Sequence, residues 1–232
     1  MTYLLSLITM FGLVYYLTRE EIPAIFSAVA YSFSAYHLAH YMHPTLYNIQ
    51  WLPLFILSLF ILKEKQTLFF TITASLMLAV VTYADAYYGF FATIIFLVFA
   101  IYKRLKVKTV VIFSMLSLLL MTPFILWSRI LWIDRLNLIV SYQASWGDYI
   151  YPFGQQAVEN VLYIPPTLML IALFGIKHCD KFFIILLLLA TILSLSSPIL
   201  PIFRATTRWG VVSLMCVSIL SGYGISVIKK EK

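Results

Sequence analysis

Residues 87–108 read YYGFFATIIFLVFAIYKRLKVK. The stretch Tyr87–Tyr102 carries no charge, and Lys103, Arg104, Lys106 and Lys108 follow at once. An uncharged apolar run closed by a short basic stretch is the pattern of a membrane-crossing helix with a cytoplasmic loop behind it, because lysine and arginine are retained on that side.

The same alternation extends in both directions. The apolar runs are Tyr3–Leu17, Ile22–Tyr36, Thr45–Leu62, Thr67–Thr82, Tyr87–Tyr102, Thr109–Trp127, Val161–Ile176, Phe182–Ser196 and Trp209–Ile228. A straight crossing takes about 20 residues at about 1.5 Å each, so several of these runs are short. Loops after the odd-numbered runs hold Arg19, then Lys63 and Lys65, then the four basic residues at 103–108, then Lys177 and Lys181, then Lys229, Lys230 and Lys232. Loops after the even-numbered runs hold only Arg129, Arg135, Arg204 and Arg208 of the 16 basic residues. The expectation is an all-α, polytopic transmembrane helix bundle with about nine spans, its N-terminus outside and its C-terminus cytoplasmic. It is read as one transmembrane helical domain over 1–232, with an outer interfacial segment at about 129–160, and as a multi-pass protein of the cell membrane.

Composition agrees. Of 232 residues, 62% are hydrophobic and 11% charged, with a mean hydropathy of +0.96. Soluble domains carry about a quarter charged residues, so the natural solvent for most of this surface is lipid. The net charge of +7 sits in short loops rather than in a patch, which excludes a nucleic-acid partner. Cys179 and Cys216 match no metal or disulfide pattern. No Walker, G-x-G-x-x-G, G-x-S-x-G or H-E-x-x-H motif is present. Nor is there the chain of intramembrane acids that a proton relay needs. The first apolar run lacks the features of a cleaved signal peptide.

The residues with chemical capacity fall in the expected outer loops. Asp85, in TYADAYYGF, is either a base, a metal ligand or a clamp on a substrate hydroxyl, or the cap of a helix–helix corner. His37, His40 and His43 form H-x-x-H-x-x-H, which on a helix would bring neighbouring imidazoles to one face. No cysteine or carboxylate adjoins them, so the pattern points to phosphate or sugar binding, or to interfacial imidazoles, rather than to a metal site. Arg204 and Arg208, in PIFRATTRWG, stand against the positive-inside bias and suit a bidentate grip on a phosphate, or anchoring to lipid head groups. Glu159 is a second candidate carboxylate, or a negative charge at a helix N-terminus, and Asp148 a weaker one.

Three stretches taken in order carry a resemblance. They are AYSFSAYHLAHYMHPTLYNIQWLPL (30–54), VVTYADAYYGFF (80–91) and LSLSSPILPIFRATTRWG (193–210). This order resembles the C-type polytopic membrane glycosyltransferases (GT-C), and among them YfhO-like bacterial proteins. The resemblance implies transfer of a sugar from a polyprenyl-phosphate donor to a cell-envelope acceptor on the outer face. The donor phosphate would lie near Arg204 and Arg208, Asp85 or Glu159 would be the candidate catalytic acids, and the His37–His43 stretch would bind substrate. A divalent metal serves some members; no residue here indicates one, and the cofactor is unknown. The family keeps its base in a first outer loop that follows an initial helix, and this sequence begins after the matching region. The expectation is therefore a truncated or split member, weak in activity alone and partnered by a separately encoded N-terminal fragment. The non-enzymatic alternative is a transporter, flippase or assembly subunit.

Overall fold

The computed structural model describes residues 1–43, 45–132, 144–150, 161–196 and 206–230, without the side chains of 127–132. Among these residues every regular element is helical. In order they are α1 (Thr2–Thr18), α2 (Glu21–Ser32), α3 (Ala35–Ala39), α4 (Trp51–Lys65), α5 (Leu68–Ala84), α6 (Ala86–Tyr102) and α7 (Val107–Trp132). Then come α8 (Trp146–Ile150), α9 (Pro166–Gly175), α10 (Lys181–Leu195), a 3-10 turn at Thr206–Trp209 and α11 (Gly210–Lys230). Three stretches are long and apolar enough to cross a membrane: Glu21–Ala39, Val107–Leu126 and Thr206–Lys230. Five more helices are apolar but shorter, between 10 and 17 residues.

Two expected runs start later as helices than as apolar sequence. The run from Thr45 becomes α4 only at Trp51, and the run from Val161 becomes α9 only at Pro166. At the second, Pro165 is held extended by the proline that follows it, and Pro166 suits the first turn of a helix. Both non-helical lead-ins are covered by protein: Leu46, Ile49 and Gln50 are buried, as are Leu162 and Ile164. Irregular backbone at membrane depth is tolerated only under such cover.

The chain divides into two compact units, Met1–Pro53 with Ser141–Lys232, and Leu54–Val140. In the first, α11 is the centre, buried from Gly210 through Gly222. It runs antiparallel to α2: Gly222 lies against Pro23 and Ser27, while Cys216 is close to Tyr31. It meets α9 backbone to backbone. A Cβ on Gly175 would stand 2.0 Å from the Leu220 carbonyl oxygen, and one on Gly224 would stand 2.0 Å from that of Ile171. The Ser221 hydroxyl also donates to the Leu168 carbonyl at 3.0 Å. Small residues and hydroxyl bridges hold helices together where no hydrophobic effect can.

These contacts sort the loops of the first unit into two ends. At one end the α1–α2 loop meets the end of α11, where Glu20 accepts from the Ser226 hydroxyl and pairs with Lys230 at 3.1 Å and Lys229 at 3.6 Å. Cys179 and Asp180, in the turn after α9, lie close enough to Tyr223 to act on it electrostatically. At the other end, Ser194 and Ser196 of the α10 terminus bond with Ala144 and Thr206, and Leu162 covers Gly210. In the second unit α7 packs on α5, with the Ser75 hydroxyl on the Phe113 carbonyl and Phe96 stacked on Phe113 at 3.7 Å. The loops after α4 and α6 also meet there, through Lys106 N–H and Gln66 Oε1 at 3.3 Å.

Candidate functional site

The end of the first unit opposite Glu20 gathers the polar groups. Ser34 caps α3 by accepting from His37 N–H at 3.4 Å, and α3 places His37. Only His37 of the three histidines sits within a helix. His40 ends α3 and His43 stands exposed in the turn beyond, and the rings of these two neighbours are 5.6 Å apart. The helix stops because His40 and the residues after it turn: His43 N–H reaches back to the His40 carbonyl at 2.8 Å.

His37 and His40 are fully buried. Each uses Nδ1 on a carbonyl of the preceding turn, His37 on Ser32 and His40 on Tyr36, both at 2.8 Å. A carbonyl only accepts, so each Nδ1 carries the proton and donates it. The His37 ring is boxed by Tyr3 and Tyr47, at 4.4 Å and 4.6 Å between centroids, and His40 stacks on Tyr36 at 4.1 Å. The 45–50 segment closes over this corner. The Tyr31 hydroxyl donates to the Ile49 carbonyl at 2.9 Å, and the Gln50 amide donates to Asn48 Oδ1 at 3.1 Å. Among the described residues no three histidine, cysteine or acidic side chains come together as a metal cluster.

A second polar group, not foreseen from sequence, fixes α8 to the helices beneath it. The Tyr149 hydroxyl and Ser194 Oγ are 2.6 Å apart, and Ser213 lies close enough to act on the phenol. Thr191 and Ser213 hydroxyls meet at 3.1 Å. Burial raises the Tyr149 phenol above its ordinary value, so it stays a neutral donor. Its only signal in the sequence is the serine and threonine content of α10 and α11, which many membrane helices share.

No family model, curated protein or solved structure matches this chain.

Asp85 and Asp148 both serve backbone amides. Asp85 is the single residue between α5 and α6, and its Oδ1 accepts from Tyr87 N–H at 2.8 Å and Tyr88 N–H at 3.2 Å. Of the two readings of Asp85, the cap of a helix–helix corner is formed. Asp148 Oδ2 accepts from Ser145 N–H at 2.7 Å and from its hydroxyl at 3.1 Å, so its carboxylate reaches back to the residue before α8. Arg208 lies in the 3-10 turn at the mouth of α11, half-buried. Arg204 and Glu159 lie outside the described residues. Asp85 belongs to one compact unit, and the histidines and Arg208 to the other. Away from this end, burial beside Asp180 lifts the Cys179 thiol to about 11, leaving it unreactive at neutral pH.

Proposed function

We propose that this chain is a multi-pass membrane protein with about nine spans, N-terminus outside and C-terminus cytoplasmic, which handles a polyprenyl-phosphate-linked sugar at its outer face in the manner of GT-C transferases. The supporting observation for the topology is the pairing of loops. Charge placement puts the α1–α2 loop, the turn after α9 and the C-terminal tail on one side, and the first unit gathers those same segments at one end. For the function, support comes from two of the three stretches carrying the resemblance. Residues 34–50 and 206–210 occupy the opposite end of that unit, since α2 and α11 are antiparallel.

On this reading the donor phosphate binds at Arg204 and Arg208, and the histidine corner faces the neutral part of the substrate. The test is reconstitution in liposomes with polyprenyl-phosphate sugars and envelope acceptors. Arg208→Lys should weaken polyprenyl-phosphate binding because lysine cannot reproduce the bidentate fork. Binding unchanged in both Arg204→Lys and Arg208→Lys would reduce these residues to head-group anchors. One observation favours the non-enzymatic reading, a transporter, flippase or assembly subunit: Asp85 and Asp148, both candidate bases, are engaged with backbone amides. Sugar binding without turnover would select it.

A further inference from the structure

We infer that the basic end of the second unit, formed by the α4–α5 and α6–α7 loops, binds the head group of an anionic phospholipid. This end belongs to a different unit from the histidine corner. The inference rests on the membrane placement of the chain and not on the sugar chemistry.

In sequence the basic residues lie in separate short loops; the fold joins two of them. Gln66 follows α4 with φ 43°, a left-handed turn that closes the helix through its N–H on the Leu62 carbonyl at 2.8 Å. Its side chain reaches the α6–α7 loop, where Oε1 accepts from Lys106 N–H at 3.3 Å. A second contact ties α6 to α4: Lys103 Nζ stands 5.2 Å from the centre of the Phe60 ring. Arg104, at φ 51°, turns the chain so that Leu105 is buried while Arg104 and Lys106 on either side of it are exposed. Lys63, Lys65, Lys103, Arg104, Lys106 and Lys108 therefore share one end of the unit, and Glu64 is the one acid within 63–68 and 101–108.

Six cations gathered around one acid call for an anionic partner. Two helix N-termini at the same end add to this. The α5 helix starts without a side-chain cap, and neither α5 nor α7 carries an acid in its first turn, so their amides and dipoles also favour an anion. The loops decide what carries it. Only Gln66 and Thr67 separate α4 from α5, and only 103–106 separate α6 from α7. The charges thus stay within about one helical turn, about 5.4 Å, of the apolar helices, at the level of lipid head groups. Beside them Leu68, Phe69, Ile101 and Val107 are 60–79% exposed. A phospholipid meets both demands, with its phosphate at the loops and its acyl chains on these side chains.

The experiment titrates the full chain, purified in a mild non-ionic detergent, with dioleoyl phosphatidylglycerol and reads one-to-one adducts by native mass spectrometry. Dioleoyl phosphatidylcholine, dioleoylglycerol and glycerol 3-phosphate are the comparison probes. The expected result is a saturable adduct with phosphatidylglycerol, at least about tenfold tighter than with any of the other three. Lys103→Gln, Arg104→Gln and Lys106→Gln together should weaken it about tenfold or more. Lys177→Gln, Lys181→Gln and Lys232→Gln together remove the same charge elsewhere and should leave it within about twofold. Gln66→Gly keeps the left-handed turn and every charge but removes the brace between the loops, and should weaken the adduct about threefold. Equal affinity for phosphatidylcholine, equal losses in the two triple variants, or no adduct with any probe would overturn the inference. Glycerol 3-phosphate binding as tightly as the lipid would make this a free-phosphate site, and tighter binding of an oligoglutamate peptide would assign it to a protein partner; either overturns the lipid assignment. The two levels of the account separate cleanly. A chain that handles polyprenyl-phosphate sugars without this lipid preference loses only the basic site, and one that keeps the preference but binds no such sugar loses only the outer-face reading.

Discussion

Replacing Gly224 by alanine tests the core of the first unit. The new Cβ would lie 2.0 Å from the Ile171 carbonyl oxygen and 2.9 Å from its carbon, both backbone atoms with no rotamer to escape into. Ordinary carbon–oxygen contact begins near 3.3 Å, so α9 and α11 must separate locally by about 1.3 Å. A gap of about 0.5–1 Å already forfeits a quarter to a half of the dispersion energy of the atoms lining it, and overpacking of this kind costs about 3 kcal/mol. Alanine returns about 1 kcal/mol of helix propensity, leaving a net loss of about 2 kcal/mol. Gly175→Ala meets the Leu220 carbonyl at the same 2.0 Å and the Gly224 nitrogen at 2.8 Å, so it opens the same crossing. The double variant should then lose at least about 0.5 kcal/mol less than the sum of the singles. Gly222→Ala, whose shortest contact is the Ser27 hydroxyl at 2.3 Å, should cost less because that side chain can rotate. The assay is reversible unfolding in mixed micelles with increasing dodecyl sulfate. Single variants within about 0.5 kcal/mol of the parent protein, or strictly additive losses, would refute a backbone-close crossing of α9 and α11.

Three further outcomes follow from named contacts. Glu20→Gln should lose about 1–2 kcal/mol at neutral pH, mostly from the charged hydrogen bond to Ser226, since the exposed lysines add little. The Ser226 hydroxyl, ahead of Lys230 and Lys229, holds the Glu20 carboxyl below the usual carboxylate range. Its contribution is therefore present above that range and disappears as pH falls below it, where the parent and Glu20→Gln melting curves should converge. Tyr149→Phe removes the hydroxyl that bonds Ser194 and should cost about 1–2 kcal/mol, read as faster amide exchange at 144–150. Asp85→Asn keeps an acceptor for Tyr87 and Tyr88 N–H and should unfold within about 0.5 kcal/mol of the parent, whereas Asp85→Ala should lose about 1 kcal/mol. Equal losses in the two would show that Asp85 is not acting as a cap.

The helical class could be read from the sequence because apolar runs and basic loops alternate through the whole chain, and that signal needs no tertiary contact. The starts of α4 and α9 could not. Thr45–Gln50 and Val161–Pro165 are apolar enough to continue a run, and it is the covering protein that allows them to be irregular. Asp85 was legible as one of two alternatives, since a polar residue between two apolar runs fits a cap as well as a base. The histidine spacing carried a local truth without the helix: α3 ends at His40, yet the turn that follows keeps the His40 and His43 rings 5.6 Å apart. Glu20 and the Tyr149 hydroxyl network were silent, because one of two adjacent acids beside Arg19 and scattered serines acquire meaning only when helices distant in sequence bring partners to them.

The side of the membrane on which each end of the first unit lies is the most direct test of the account. Single cysteines would replace Lys177 and Lys230 at the Glu20 end, and His43 and Trp146 at the other, in a chain whose Cys179 and Cys216 are serine. A thiol reagent that cannot cross the bilayer should label 43 and 146 in intact cells, and 177 and 230 only after the membrane is opened. Labelling of 43 or 146 with 177 or 230 from the same side would contradict both the span count and the placement of the site on the outer face.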